Sequence, residues 1–88
     1  MELEFRETFL KDVKGIRDAA AKKKVAAVIS DAKRAASLFD LKNAKKMEGS
    51  VSYYRIRIGD YRIGVKLQEK TLVFMRCLNR KDIYRYFP

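Results

Sequence analysis

From Val51 onward the chain alternates. VSYYRIRI, then the pair Gly59-Asp60, then YRIGVKL set apolar and polar side chains at every second position on both sides of a two-residue turn. Successive side chains of a strand point to opposite faces, so this stretch reads as a β-hairpin with one buried face. A two-residue loop beginning with glycine suits the tight turns that hairpins favour, and loop length fixes the register. Ile58 is then expected opposite Tyr61, Arg57 opposite Arg62, Ile56 opposite Ile63 and Arg55 opposite Gly64. Tyr54, Ile56 and Ile58 share the core face with Tyr61, Ile63, Val65 and Leu67. Tyr53, Arg55, Arg57, Arg62, Gly64 and Lys66 share the other.

That second face is unusual in its charge. Arg57 directly opposite Arg62 sets like charges together, at a cost of the order of ~0.2–1 kcal/mol. No acidic residue on the same face of the hairpin offsets it. A surface that only needs solvation can carry Glu or Thr there. Three convergent arginines instead make a site for an anion, phosphate above all. Gly64, facing Arg55, leaves a gap in side-chain cover where a ligand is expected to approach the sheet. The plain alternative is a solvated, Lys/Arg-rich sheet surface.

The rest of the chain must cover the apolar face. Leu3 and Phe5 alternate with Glu2, Glu4 and Arg6 as a short strand. Thr8 is placed to cap a helix, with Asp12 in its first turn, and Phe9, Val13 and Ile16 recur at helical spacing. Val25, Val28, Ile29, Ala32 and Ala36 continue that spacing. A single helix over 8–36 would be about 44 Å long, whereas a chain of this size has a radius of gyration of ~12 Å. Two helices broken between Gly15 and Ala21, with Asp18 as the second cap, fit better. Residues 37–50 lose periodicity and read as a connecting loop pinned by Leu38, Phe39, Leu41 and Met47. After a turn near Gln68–Lys70, TLVFMRCLN is a third apolar strand, and KDIYRYFP closes the chain as a tail or helical turn. The expected class is α+β in the order β-α-α-β-β-β, one domain over 1–88, with two helices packed on one face of an antiparallel sheet.

Composition narrows the function. Twenty-one Lys and Arg against 11 Asp and Glu leave a net charge of +10 on 88 residues. Of this, +2 lies in residues 1–40 and +8 in residues 41–88, so the field belongs to the hairpin half. An anionic partner is implied, and nucleic acid is the commonest. One Cys and no His exclude an internal disulfide, a Cys/His zinc site and any triad with a histidine base. The 48% apolar content argues against disorder. No run approaches the ~18 apolar residues of a membrane span, and MELEFRETF lacks a secretory pattern, so a cytoplasmic location is expected, with no metal or other cofactor.

The third strand and tail extend the basic face. Alternation sets Cys77 and Asn79 on one face. If Lys66 lies opposite Val73, that face is the basic one, and Arg76 falls on the core side at an edge where its stem can snorkel. Arg80, Tyr84 and Tyr86 follow and can fold over the rim. Guanidinium groups bind phosphate and aromatic rings stack unpaired bases, a combination suited to RNA. Cys77 reads as a small buried hydrophobe.

The run YYRIRIGDYRIGVKL, followed by NRKDIYRYFP, resembles the RelE branch of the RelE/ParE superfamily, the toxins of type II toxin–antitoxin pairs. The resemblance spans essentially the whole chain and is most specific in R-I-R-I-G-D-Y-R-I and R-K-D-I-Y. It implies a ribosome-dependent endoribonuclease that cuts mRNA in the ribosomal A site and is silenced by a cognate antitoxin. In that chemistry the 2′-OH attacks the adjacent phosphate and leaves a 2′,3′-cyclic phosphate. By position, Arg55 and Arg57 match the paired basic residues of the first hairpin strand. Arg62 matches the arginine that stabilises the phosphorane, Arg80 the one proposed to protonate the leaving 5′-oxygen, and Tyr84 the tyrosine that stacks on or orients the substrate. Lys45, Lys46, Tyr53, Lys66, Asn79, Lys81 and Tyr86 are expected to contact RNA around this set.

Two departures bear on mechanism. Arg55 and Arg57 stand where the best-known member has lysines, and a guanidinium scarcely deprotonates, which favours electrostatic clamps over a general base. Asn79 stands where many relatives have histidine, and an amide orients but does not shuttle protons. The base is then Glu48, Tyr84 or ribosomal RNA, or catalysis rests on orientation and charge stabilisation alone. The alternatives are a ParE-like, non-catalytic toxin that inhibits gyrase, or an inactive relative that only binds RNA.

Overall fold

The alternating stretch folds as its pattern requires. A computed structural model describes all 88 residues. Strands β3 (Tyr53–Ile58) and β4 (Tyr61–Gln68) form the hairpin, with Ile58 opposite Tyr61, Arg57 opposite Arg62, Ile56 opposite Ile63 and Arg55 opposite Gly64. Gly59 supplies the positive φ of 62° that the turn needs. Around the hairpin lie β1 (Glu2–Phe5), α1 (Glu7–Lys14), α2 (Ala19–Arg34), a 3-10 turn (Leu38–Asp40), β2 (Ala44–Lys46), β5 (Thr71–Asn79) and the one-turn helix α3 (Ile83–Tyr86). The long apolar pattern of residues 8–36 does break in two. Gly15 ends α1, and the Asp18 carboxylate caps α2 by accepting from the N–H groups of Ala20 and Ala21 at 2.9 and 3.4 Å. The result fits extents of 32 × 28 × 22 Å, with a Cα radius of gyration of 11.8 Å.

The core lies between the helices and the hairpin's apolar face. Phe9, Ile16, Ala21, Val25 and Ala32 pack against Ile56, Ile58, Ile63, Val65, Leu72, Phe74 and Cys77, and no charged side chain is buried. No helix is long and apolar enough to cross a membrane.

The sheet departs from expectation in two ways. Its order is β1-β5-β4-β3-β2, and β1 pairs with β5 in parallel, so the sheet is mixed rather than antiparallel. The chain leaves β1 through both helices and returns by an odd number of hairpin reversals, which brings β5 beside β1 in the same direction. The segment read as a loop also contains a fifth strand. Ala44, Lys45 and Lys46 pair with Ile56, Arg55 and Tyr54. This short, lysine-bearing edge protects the sheet but shows no apolar alternation. Leu38 and Met47 pin the segment as expected, Leu41 is half-buried, and Phe39 is not pinned at all, at 80% exposed.

Thr8 and Asp12 do different work from that expected. Helix α1 starts at Glu7, before Thr8, and Arg6 occupies the capping position without a side-chain bond. The Thr8 hydroxyl instead donates to the Met75 carbonyl at 2.7 Å, and Asp12 lies beyond the first turn. Its carboxylate accepts from Arg76 Nε and Nη2 at 2.8 and 3.2 Å and from the Cys77 N–H at 3.0 Å. Helix α1 thus takes over the edge of β5 where β1 stops. There β5 bulges: Arg76 faces Gly64, yet Phe74 faces Val65, leaving Met75 as the extra residue. The bulge reverses the expected alternation. Cys77 points into the core, Asn79 lies opposite Tyr61, and Arg76 leaves the core side to reach Asp12.

Three outcomes are expected from this edge. Asp12→Ala strands a guanidinium and a backbone N–H together and lowers stability by about 2 kcal/mol, measured by urea unfolding. The Cys77 thiol is pushed up to about 12 by burial, with the charge of Asp12 adding to the effect. A folded-state value above the unfolded one means that stability is lost as pH rises past about 9. At pH 8 iodoacetamide should label the native thiol on the order of 1,000-fold more slowly than the unfolded chain, because thiolate is the reactive form.

Candidate nucleic-acid interface

The register puts Arg57 and Arg62 side by side on the face away from the helices, with Arg55 two residues along β3. Lys45 on β2 lies opposite Arg55 and extends the set outward. The Arg80 N–H donates to the Asp60 carbonyl at 2.8 Å, which brings the start of the C-terminal segment to the hairpin turn. Arg62 Nη1 donates to the carbonyls of Gly59 and Tyr61 at 2.8 and 2.9 Å, holding its guanidinium against that turn. Desolvation lowers the Arg62 pKa, and the charges of Arg57, Arg80 and Arg55 lower it further, while Tyr84 acts in the opposite direction. The same side chains that converge in the motif therefore feel one another in space. The protein's four ion pairs involve Arg6, Lys11, Arg34 and Arg76, so no carboxylate neutralises this cluster.

Tyr84 completes it. Its ring, 63% exposed, lies 5.2 Å from the Arg55 guanidinium carbon, a cation–π contact worth about 0.5–1 kcal/mol at an exposed site. Asn79 turns the chain toward it. The Asn79 side-chain oxygen accepts from the Lys81 N–H at 3.0 Å, and its carbonyl accepts from Asp82 at 2.8 Å. Arg55, Arg57, Arg62, Arg80 and Tyr84 thus form one surface, with guanidinium groups able to hold a phosphate and a free ring able to stack on a base.

The outlying expected contacts divide. Lys45 joins the cluster, and Lys81 is exposed beside Arg80. Lys46 does not join, because it pairs with Tyr54 and faces the helix side. Tyr53 and Lys66 pair at the far end of the hairpin, with Lys66 5.6 Å from the Tyr53 ring. Asn79 acts as a turn former. Tyr86 is exposed toward Arg76, whose pKa is raised first by its hydrogen bond to Asp12, against desolvation, then by the charges of Asp12 and Tyr86. Glu48 is exposed in an open depression shared with Lys46, Met47, Gly49, Ser50, Val51 and Arg55. No three carboxylate or thiol groups converge as metal ligands would.

The gap expected at Gly64 is filled from within the chain. A Cβ there would fall 2.7 Å from Cγ and Cδ2 of Phe87, whose ring covers the glycine. Phe87, Ile83 and Met47 form a small second core on the basic side of the sheet, joined by Tyr53, Met75 and Leu78. Glycine within a strand does signal close approach, and here the approaching group is a side chain. Lys24 and Lys42, outside the expected set, line a groove with Arg57 between α2 and β3. Both sit outside the hairpin, and the only signal for them is the general excess of lysine.

Residues 3–84 match the family model described as the ParE toxin of type II toxin–antitoxin system, parDE. The chain is 43% identical over 89 residues to Toxin RelE3 of Methanocaldococcus jannaschii, covering 100% of both proteins. It superposes on a chain of the RelB-RelE antitoxin-toxin complex from Methanococcus jannaschii with a TM-score of 0.81 at 42% identity, covering 97% of this chain and 99% of that one. The fold extends to the archaeal RelE-RelB complex from Pyrococcus horikoshii OT3, with a TM-score of 0.72 at 17% identity and coverage of 90% and 93%. With its motif, its fold and a full-length relative in agreement, the chain belongs to the RelE/ParE superfamily of type II toxin–antitoxin toxins, in the RelE-like branch.

Proposed function

We propose that this toxin is a ribosome-dependent endoribonuclease that cuts mRNA by attack of a 2′-OH on the adjacent phosphate. The observation that carries the reading is the cross-strand pair Arg57 and Arg62, flanked by Arg55 and Arg80, without a neutralising carboxylate. Such a cluster repels itself when empty and gains most when it meets the added negative charge of a pentacoordinate phosphate. In the step, the 2′-oxygen forms a bond to phosphorus and gives up its proton, the bond to the 5′-oxygen breaks, and that oxygen gains a proton. The products are a 2′,3′-cyclic phosphate and a 5′-hydroxyl.

Arg55 and Arg57 clamp the non-bridging oxygens, Arg62 meets the charge of the phosphorane, Arg80 serves the leaving 5′-oxygen, and Tyr84 stacks on the base beside it. Arg62 holds its proton less firmly than an ordinary arginine yet remains a cation at neutral pH, so its part is electrostatic. The chain offers no imidazole, and the exposed Glu48, which lines an open depression with Arg55 without forming an ion pair with it, is the protein's own candidate for taking the 2′ proton. Requirement for the ribosome fits a protein with arginine clamps and no strong base of its own, since the ribosome presents and orients the codon. The related RelE structures are complexes with an antitoxin, and the uncompensated positive charge of this face would suit an antitoxin segment with acidic residues. The site of action is then the cytoplasm.

The matched family model carries the name of ParE, which favours a non-catalytic, protein-binding toxin as the second reading. Gyrase supercoiling inhibited without RNA cleavage would establish it.

Primer extension on translated mRNA should show cleavage by the wild type and a loss of about 100- to 1,000-fold in single-turnover rate for Arg62→Ala, the range typical for removing one preorganised donor to a transition-state oxyanion. Equal cleavage by both proteins contradicts the assignment. Across pH 5 to 8 the rate should show no inflection near ~6.5, the unperturbed histidine value. A step there, present with this protein and absent from ribosomes alone, would contradict a mechanism built on arginines.

A further inference from the structure

Tyr84 lacks packing of its own to hold it over Arg55. It is largely exposed, and α3 is a single turn, far below the length at which a helix is stable in isolation. Its orientation must come from what flanks it. On one side the Arg80 N–H is tied to the hairpin turn at Asp60. On the other, Ile83 and Phe87 are 0% and 3% exposed, and the Phe87 N–H donates to the Ile83 carbonyl at 2.9 Å.

Phe87 is seated where the sheet has no side chain. Three of its ring carbons lie 2.7 to 2.8 Å from the position that a Cβ of Gly64 would occupy, a separation side chains cannot share. The ring is packed on other sides as well. Tyr53 meets it edge-on, with centroids 5.5 Å apart and planes at 85°, and the buried Met47 and Ile83 belong to the same cluster. Gly64 is also the residue opposite Arg55. The bare backbone that receives Phe87 and the guanidinium that receives Tyr84 are therefore cross-strand neighbours.

We infer that Gly64 and Phe87 are positioning residues of the ribonuclease site: the ring of Phe87, seated on the backbone at Gly64, fixes α3 and so holds Tyr84 over Arg55. This deepens the ribonuclease reading and rests on it. A methyl group at residue 64 displaces Phe87, and the displacement passes through one helical turn to Tyr84. Removal of the Phe87 ring frees the same turn. Phe87→Leu, which keeps an apolar group over Gly64, preserves more of the arrangement than Phe87→Ala.

The test combines kinetics with a readout that does not need activity. On programmed ribosomes, Gly64→Ala and Phe87→Ala should each lower kcat by about as much as Tyr84→Ala does. KM should change less than kcat, and Phe87→Leu should recover at least half of the loss on a logarithmic scale. Combined with Tyr84→Ala, neither should reduce kcat by more than about twofold further, because both act through that ring. In NMR spectra of the free protein, nuclear Overhauser contacts between the Tyr84 ring and the Arg55 side chain should be present in the wild type, lost in Gly64→Ala and Phe87→Ala, and retained in Phe87→Leu. Wild-type kcat in Gly64→Ala, full multiplicative losses in the double variants, or Tyr84–Arg55 contacts that survive both substitutions would overturn the inference. If the wild type cuts no RNA, the ribonuclease reading fails while the Overhauser contacts still decide whether Phe87 positions Tyr84.

Discussion

The pairing of Arg57 with Arg62 depends on one local constraint, a two-residue turn at Gly59-Asp60 flanked by strands of period two. A slip of one residue in the hairpin would move Ile56, Ile58 and Ile63 out of the core and the arginines into it. Burial of that apolar set and convergence of the guanidinium groups are thus the same event. The core stabilises a register whose other face is electrostatically unfavourable, and the surplus positive charge follows from that same register. The Arg62 donations to Gly59 and Tyr61 couple the two, since an arginine of the cluster also ties the turn that creates it.

The two faces of the sheet are built differently. The helix side is filled by one continuous apolar cluster, whereas the other side is divided. One part carries Arg55, Arg57 and Arg62, and the neighbouring part is covered by Ile83, Phe87 and Met47. The C-terminal segment thus has two roles from two kinds of residue. Its apolar members dock on the sheet, and its polar members, Arg80 and Tyr84, are delivered to the edge of the cluster. On the opposite edge, Asp12 joins α1 to β5 through Arg76 and the Cys77 N–H, which stabilises the bulge that turns Cys77 inward.

What could be read from the sequence follows from how local each signal is. The hairpin register with its paired arginines and the Asp18 cap rest on spacing over a few positions, and both appear in the structure; Arg80 and Tyr84 are placed beside the arginines by the family motif, and the fold brings them there. The parallel pairing of β1 with β5 depends on residues about 70 positions apart in a chain of this length, and no local pattern encodes it. Strand β2 carries two lysines in three residues and is stabilised by its neighbour rather than by its own apolar face. The bulge at Met75 leaves no sequence signal, because TLVFMRCLN is apolar enough to satisfy either phase of alternation. The gap at Gly64, expected to admit a ligand, is filled by Phe87 from 23 residues away, an approach that only the tertiary fold brings about. Thr8 shows the limit of capping rules, since its hydroxyl found a β-strand carbonyl in place of a helical N–H.

In the proposed reaction this arginine face drives attack by the RNA's own 2′-oxygen. The ends of the cleaved strand report it most directly. Fragments from mRNA cut on purified ribosomes should carry a 2′,3′-cyclic phosphate on the upstream piece and a 5′-hydroxyl on the downstream piece, identified by mass spectrometry. A 3′-hydroxyl paired with a 5′-phosphate would show that water was the nucleophile and would contradict the account.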